Sequence, residues 1–217
     1  MDDAMTVRLK VVGGSRSGKP GGVRQERARK RRQMLTEVVM ELVKERGFDA
    51  ISVNEVAERA KLSVGGLYRH IGTKNDLLEI ICDEINLDLL DDMKAAAAKE
   101  RGAAAKLEAA IRTYWYRHWD SSDAVLVAYR EYQSLSKEAK ARYRAEEQQL
   151  AEFLSDLIRA GMILEEFREV DDRLLASEIV LLSHMRALKG YVFKGRERED
   201  ALAELLELVF SRLRVIP

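Results

Sequence analysis

"GFDAISVNEVAERAKLSVGGLYRHIGTKNDLL", residues 47–78, sets two adjacent glycines, Gly65 and Gly66, at the start of a helical run. A glycine inside a helix costs roughly 1 kcal/mol against alanine, so the pair needs a reason outside helix propensity. The residues around it are punctuated by caps. Gly47 stands where a helix C-terminal cap belongs, and Phe48 can fold back onto that helix. Ser52 begins "SVNE", a capping box with Glu55 three positions on. Val53, Val56, Ala57 and Ala60 then recur at helical spacing. The turn "KLS" follows, and Ser63 is a good N-cap for a short helix from Val64 to Ile71. Two short helices across a three-residue turn make a helix-turn-helix. In that motif the second helix enters the major groove, with its N-terminal residues nearest the base edges. Bare backbone at Gly65 and Gly66 would let this helix lie close to the duplex, with Leu67 anchoring it to the core.

The polar residues nearby take roles on that expectation. Tyr68, His70 and Lys74 are spaced to meet phosphate oxygens along one strand, with Lys74 at the N-terminus of the following helix. Ser63, Val64 and Arg69 reach toward base edges: Val64 offers apolar contact, and Arg69 a guanine or a phosphate. Ser52 and Asn54 cap the preceding helix and touch the opposite backbone or a base. Thr73 joins this DNA-facing set and, with Asp76, makes another capping-box-like start.

The chain of 217 residues is 47% hydrophobic and 34% charged, ordinary for a globular protein. Its two prolines, Pro20 and Pro217, lie near the ends, so proline breaks no helix between them. An all-α fold is expected. Further helices are expected at 23–46, 74–99, 103–119, 122–134, 137–160, 172–194 and 198–213. The formal charge of zero is unevenly spread. Residues 7–32 carry ten Lys or Arg against one Glu, while residues 33–217 carry 27 basic against 34 acidic residues. A cationic arm on an anionic body suits a polyanionic partner. "RQERARKRR", 24–32, would lie along phosphates or in a minor groove, although a charge run also reads as a solvated face. Cys82 is the sole cysteine, which excludes an intrachain disulfide. With no apolar run long enough for a bilayer and no signal-peptide core, a cytoplasmic protein without membrane partners is expected.

The stretch 47–78 resembles the signature of the tetracycline-repressor (TetR) family. Gly47, Ser52, Val53, Val56, Ala57, Ala60, Ser63, Gly65, Leu67, Tyr68, His70, Lys74 and Leu77 match the usual residue types. Two positions depart: Lys61 stands where the turn usually has glycine, and Ile71 where phenylalanine is common. A left-handed backbone is costly for lysine. The resemblance implies a homodimeric transcription regulator on a palindromic operator of double-stranded DNA, repression being the usual mode. It also implies a small N-terminal DNA-binding domain and a larger C-terminal domain for ligand and dimer. The division expected is a disordered basic arm at 1–22, the helix-turn-helix domain at 23–78, and the ligand and dimer domain at 79–217.

The C-terminal half carries no comparable motif. "IRTYWYRHWD", 111–120, puts Tyr114, Trp115, His118 and Trp119 in reach of one helical face, as an aromatic ligand pocket or simply as core. Tyr129 and Gln133 lie one turn apart. The stretch from there to "ARYRAEEQQL" is similar to acyl-CoA-responsive regulators of the family, where Arg130 and Arg186 would meet CoA phosphates; a hydrophobic inducer, as in multidrug efflux regulators, is the competitor. Leu174, Leu175, Ile179, Leu182, Met185, Leu202, Leu205, Leu206, Val209 and Phe210 give apolar faces expected at the dimer interface, as a four-helix bundle from two chains, the alternative being that one face packs only within its own chain. His184 reads as an ordinary packed residue. The three histidines show no metal-ligand spacing and no phosphate-binding glycine loop is present. Neither an enzyme nor a cofactor or metal site is therefore expected. A structural DNA-associated protein switched by a protein partner is the remaining alternative.

Overall fold

In a computed structural model of the chain, residues 20–69 and 71–215 are described, without the side chains of 20–25, 27 and 28. They form α1 (Pro20–Arg46), α2 (Val53–Arg59), α3 (Val64–Leu67), α4 (Asp76–Asn86), α5 (Leu89–Ala97), α6 (Ala103–Asp120), α7 (Ser122–Glu131), α8 (Lys137–Ile163), α9 (Asp172–Ser183), α10 (Met185–Leu188) and α11 (Arg198–Leu213). Short 3-10 turns follow α7 and α10. No strand occurs among the described residues. The expectation for residues 1–19 lies outside them.

The local signals at the start of the chain act as expected. Gly47 ends α1 at φ +80°, its amide donating to the Val43 carbonyl at 2.7 Å. Lys61 does adopt the left-handed backbone, at φ +54°. The Leu62 amide then donates back to the Ala57 carbonyl at 2.8 Å, the closing bond of a Schellman cap. This conformation costs a non-glycine residue roughly 1–2 kcal/mol. The cap bond and burial of the flanking Ala60 offset it.

Two helices break where the sequence reads as continuous. The helix expected over 74–99 starts only at Asp76 and is split into α4 and α5 by Asp88, at φ +59°. Arg117 of α6 explains the break. It donates to the freed Leu87 carbonyl at 2.9 Å and to the Asp92 carboxylate in the first turn of α5 at 2.9 Å. The helix expected over 172–194 likewise stops at Ser183, and His184 turns the chain into α10.

Apolar side chains collect in two cores. The first joins Leu35, Val39 and Leu42 of α1, Val56 of α2, Leu67 of α3, and Leu77, Leu78, Ile81 and Ile85 of α4. Ala124, Val125, Val127 and Ala128 of α7 belong to the same cluster. Residue 78, the expected domain boundary, thus lies inside a helix whose two halves share one core. The second core gathers α5, α6, α8, α9 and α11 around Leu107, Ile111, Leu154, Ile179 and Leu202.

Candidate nucleic-acid interface and effector chamber

The surface expected to meet DNA is exposed. Ser52, Asn54, Ser63, Val64, Gly65, Tyr68, Arg69 and Thr73 face solvent, while Leu67 and Ile71 anchor the segment from beneath. The two serines act as caps: Ser52 Oγ accepts from the Glu55 amide at 3.2 Å, and Ser63 Oγ from the Gly66 amide at 3.0 Å. His70 lies outside the described residues.

The two glycines have different reasons. A Cβ at Gly66 would stand 2.9 Å from Ser63 Oγ, so this glycine protects the cap within the protein and is itself buried. A Cβ at Gly65 would meet nothing within 4 Å, and its φ is not in the left-handed region. Among the described residues, nothing requires glycine at position 65.

Three of the expected positions have partners within the chain. Lys74 does not project freely: its ammonium donates to the Asp49 carbonyl at 2.8 Å and sits 4.9 Å from the centre of the Phe48 ring. It ties the turn before α4 to the end of α1. Thr73 does not cap α4. Its hydroxyl donates to Asp76 Oδ1 at 2.7 Å, and Asp76 Oδ2 accepts from the Gly72 and Thr73 amides at 2.6 and 3.2 Å. These bonds, the Thr73 hydroxyl's foremost, hold the Asp76 carboxyl below its usual range. In the basic run, Arg29 pairs with Asp88 at 3.3 Å and Arg32 with Asp83 at 3.3 Å. Those two arginines brace α1 against the start of the second half.

The expected ligand residues separate into two sets. Trp115 and Trp119 are buried, with ring centroids 5.4 Å apart. Arg186 donates to the Trp119 carbonyl at 2.8 Å and lies 4.4 Å above its ring. This guanidinium therefore packs on the ring of the residue whose carbonyl it also bonds. Arg130 is exposed and borders neither of the two cavities below.

Tyr114, His118 and Tyr129 instead converge on His184, the residue read from sequence as ordinary. The Tyr114 hydroxyl lies 2.8 Å from His184 Nε2, and the Tyr129 hydroxyl 2.9 Å from His184 Nδ1. The His118 ring stacks on those of Tyr114 and His184, with centroids 4.0 and 4.5 Å apart. His118 Nδ1 is 2.9 Å from the Tyr114 carbonyl; a carbonyl only accepts, so this nitrogen carries the proton. Burial pushes His118 down to about 3, helped by His184, and His184 down to about 4. Both rings are neutral at neutral pH. One tyrosine therefore donates to His184 and the other accepts from it.

Tyr129 carries this buried cluster out to two small cavities that meet at its ring. One, of about 320 Å³, lies between α7 and α8 and is lined by Tyr129, Tyr132, Gln133, Tyr143, Arg144 and Glu147. The other, of about 230 Å³, lies toward α9 and shares Tyr129 and Glu147. Tyr143 and Glu147 were missed, although their spacing of four puts them on one face of α8.

The expected dimer residues also need correction. Leu175, Ile179, Leu202, Leu205, Leu206 and Val209 are buried within the single chain. Leu182 and Phe210 are half-buried. The outward apolar residues on the same helices are Leu174, Leu181 and Leu208, each more than half exposed. Leu181, Leu182 and Leu208 border a groove of about 620 Å³ between α9 and α11.

An exposed helix-turn-helix joined through a shared core to a helical body with a cavity defines a DNA-binding regulator. The family model described as "Bacterial regulatory proteins, tetR family" matches residues 35–81, and "Tetracyclin repressor-like, C-terminal domain" matches residues 100–212. The chain belongs to the TetR family of bacterial transcription regulators, which are not enzymes. It is 26% identical to the HTH-type transcriptional regulator HbdR of Aromatoleum sp. (strain CIB), over 82% of this chain and 76% of that one. It is 26% identical to the HTH-type transcriptional repressor KstR2 of Rhodococcus jostii (strain RHA1), over 84% and 91%. The solved structure of AibR in complex with isovaleryl coenzyme A and operator DNA shares the fold, with a TM-score of 0.68, 21% identity and coverage of 85% and 100%. No helix among the described residues is long and apolar enough to cross a membrane.

Proposed function

We propose that this chain is a ligand-responsive homodimeric repressor, released from a palindromic operator by a small hydrophobic or acyl-CoA-type effector. The α3 face would read one half-site per protomer, and residues 79–217 would hold effector and partner. The observation that carries the DNA reading is Gly65, open to solvent and required by none of the described residues. The name of KstR2 supports repression, and the AibR complex supports a CoA-type effector.

The packing supports a route from effector to DNA. Tyr129 sits on α7, whose alanines and valines share a core with α4. Polar bonds repeat the link: Asn75 Nδ2 donates to the Ser134 carbonyl at 3.0 Å, and Ser136 Oγ to Glu79 Oε1 at 2.8 Å. Arg142 of α8 pairs with Glu79 and Asp83 of α4 at 3.2 and 3.3 Å. A ligand that displaces α7 must therefore tilt α4 and the DNA-binding helices packed on it.

The test is a mobility-shift titration on DNA upstream of the protein's own gene, with and without isovaleryl coenzyme A or a neutral hydrophobic compound. A shift that effector reverses is expected. A shift that no small molecule alters, but that a protein partner does, contradicts the effector part. Dimerisation has its own expected result. Leu181→Glu places a charge on the exposed α9 face, yields a monomer in sedimentation analysis, and weakens operator binding roughly a hundredfold through loss of bivalency. A dimeric Leu181→Glu protein with full affinity would contradict this placement.

A further inference from the structure

Glu147 differs from the paired carboxylates on the helices around it. Glu79 and Asp83 pair with Arg142, Asp92 with Arg117, and Asp172 with Arg159. Glu147 is half-buried, and no described residue forms an ion pair or hydrogen bond with it. Burial alone raises its carboxyl above the usual range. Glu84 and Glu146 are also raised by burial, but arginines act against that rise in both, whereas none acts on Glu147. It stands where the two cavities meet, beside Tyr129, and Tyr132 and Tyr143 line the same wall. The nearest cation on that wall, Arg144, is turned to the Tyr132 hydroxyl at 3.1 Å.

Half-burying a carboxylate without a counter-ion carries a cost. An occupant that repays the cost brings a positive charge, and tyrosine faces add cation–π attraction for it. We propose that the cleft at Tyr129 and Glu147 binds a monocationic amphiphile, an ammonium group on an apolar body, with Glu147 as its counter-ion. The inference rests on the regulator reading for its consequence and narrows the effector of that reading. Charge opposes an acyl-CoA here, since a CoA brings several negative charges against Glu147. An amphiphile bound to Glu147 touches the ring of Tyr129, whose hydroxyl is already tied to His184 at the break between α9 and α10.

The experiment is calorimetric titration of the full chain, without DNA, at neutral pH. The probes are octyltrimethylammonium below its micelle concentration, octanoate, and octanoyl-CoA. Saturable binding of the ammonium and none of octanoate is expected. Glu147→Gln, which keeps the shape and removes the charge, weakens ammonium binding roughly tenfold or more. Its circular dichroism and melting temperature should match or exceed those of the parent. Three results would overturn the inference: no saturable ammonium binding, equal binding by Glu147→Gln, or tighter binding of octanoyl-CoA than of the ammonium. Because DNA is absent, failure here with an intact operator shift removes only the ligand class. Ammonium binding by a protein that shifts no DNA would instead remove the regulator reading.

Discussion

Gly65→Ala weakens operator binding at least about tenfold while leaving the free protein as stable as before, or up to about 1 kcal/mol more stable from the gain in helix propensity. The two effects have opposite signs because they have different owners. In the free chain a Cβ at this position meets nothing within 4 Å. Against DNA the same Cβ would stand between the α3 backbone and the groove floor or phosphates. Gly65→Leu enlarges the loss without unfolding the protein. Gly66→Ala behaves differently, since its Cβ would press on Ser63 Oγ and disturb the α3 cap, at a stability cost of about 1 kcal/mol. Parallel shift assays and thermal melts on the three variants check the set. Full operator affinity in Gly65→Leu would show that the bare backbone serves no outside partner.

Acid unfolds the protein through its buried imidazoles. His118 and His184 have folded-state values of about 3 and about 4, against an ordinary 6.5. Below 6.5 the unfolded chain takes up protons that the folded chain refuses, so stability falls as pH falls. It is fully present above 6.5 and continues to drop toward the folded values. Each histidine costs at most about 1.4 kcal/mol per pH unit in that window. Going from pH 7 to pH 5 therefore removes up to about 4 kcal/mol, a large share of a typical domain's stability. Glu84, Glu146 and Glu147, raised by burial, act in the opposite direction nearer the carboxylate range. Urea unfolding at pH 7, 6 and 5 measures the slope. A flat profile, or imidazole proton resonances that titrate near 6.5, would contradict neutral histidines in this cluster.

The helix-turn-helix was legible because its determinants are local. The Ser52 and Ser63 caps, the Gly47 stop and the apolar spacing of Val56, Ala57 and Ala60 each act within a few residues. Even the anomaly at Lys61 was readable as a left-handed turn. The break at Asp88 was not, because the group that stabilises it, Arg117, comes from another helix thirty residues on. The same holds for His184, whose partners Tyr114 and Tyr129 are 70 and 55 residues away. The inward leucines were assigned to the interface for a different reason. α9 is apolar on two sides, and periodicity cannot tell Leu175 and Ile179, turned inward, from Leu174 and Leu181, turned outward. Of the chamber, Tyr129 and Gln133 were found by spacing. Glu147 was hidden among neighbouring charges in "AEEQQL", where only burial distinguishes it.

The most direct measurement is hydroxyl-radical footprinting of the full chain on its operator. Two protected patches on one face of the duplex, centred roughly 34 Å apart and related by the operator's two-fold axis, are expected. Both should fade together in Gly65→Leu. A single patch, a continuous protected stretch, or a pair that persists unchanged in Gly65→Leu would show that the α3 face does not dock in the groove.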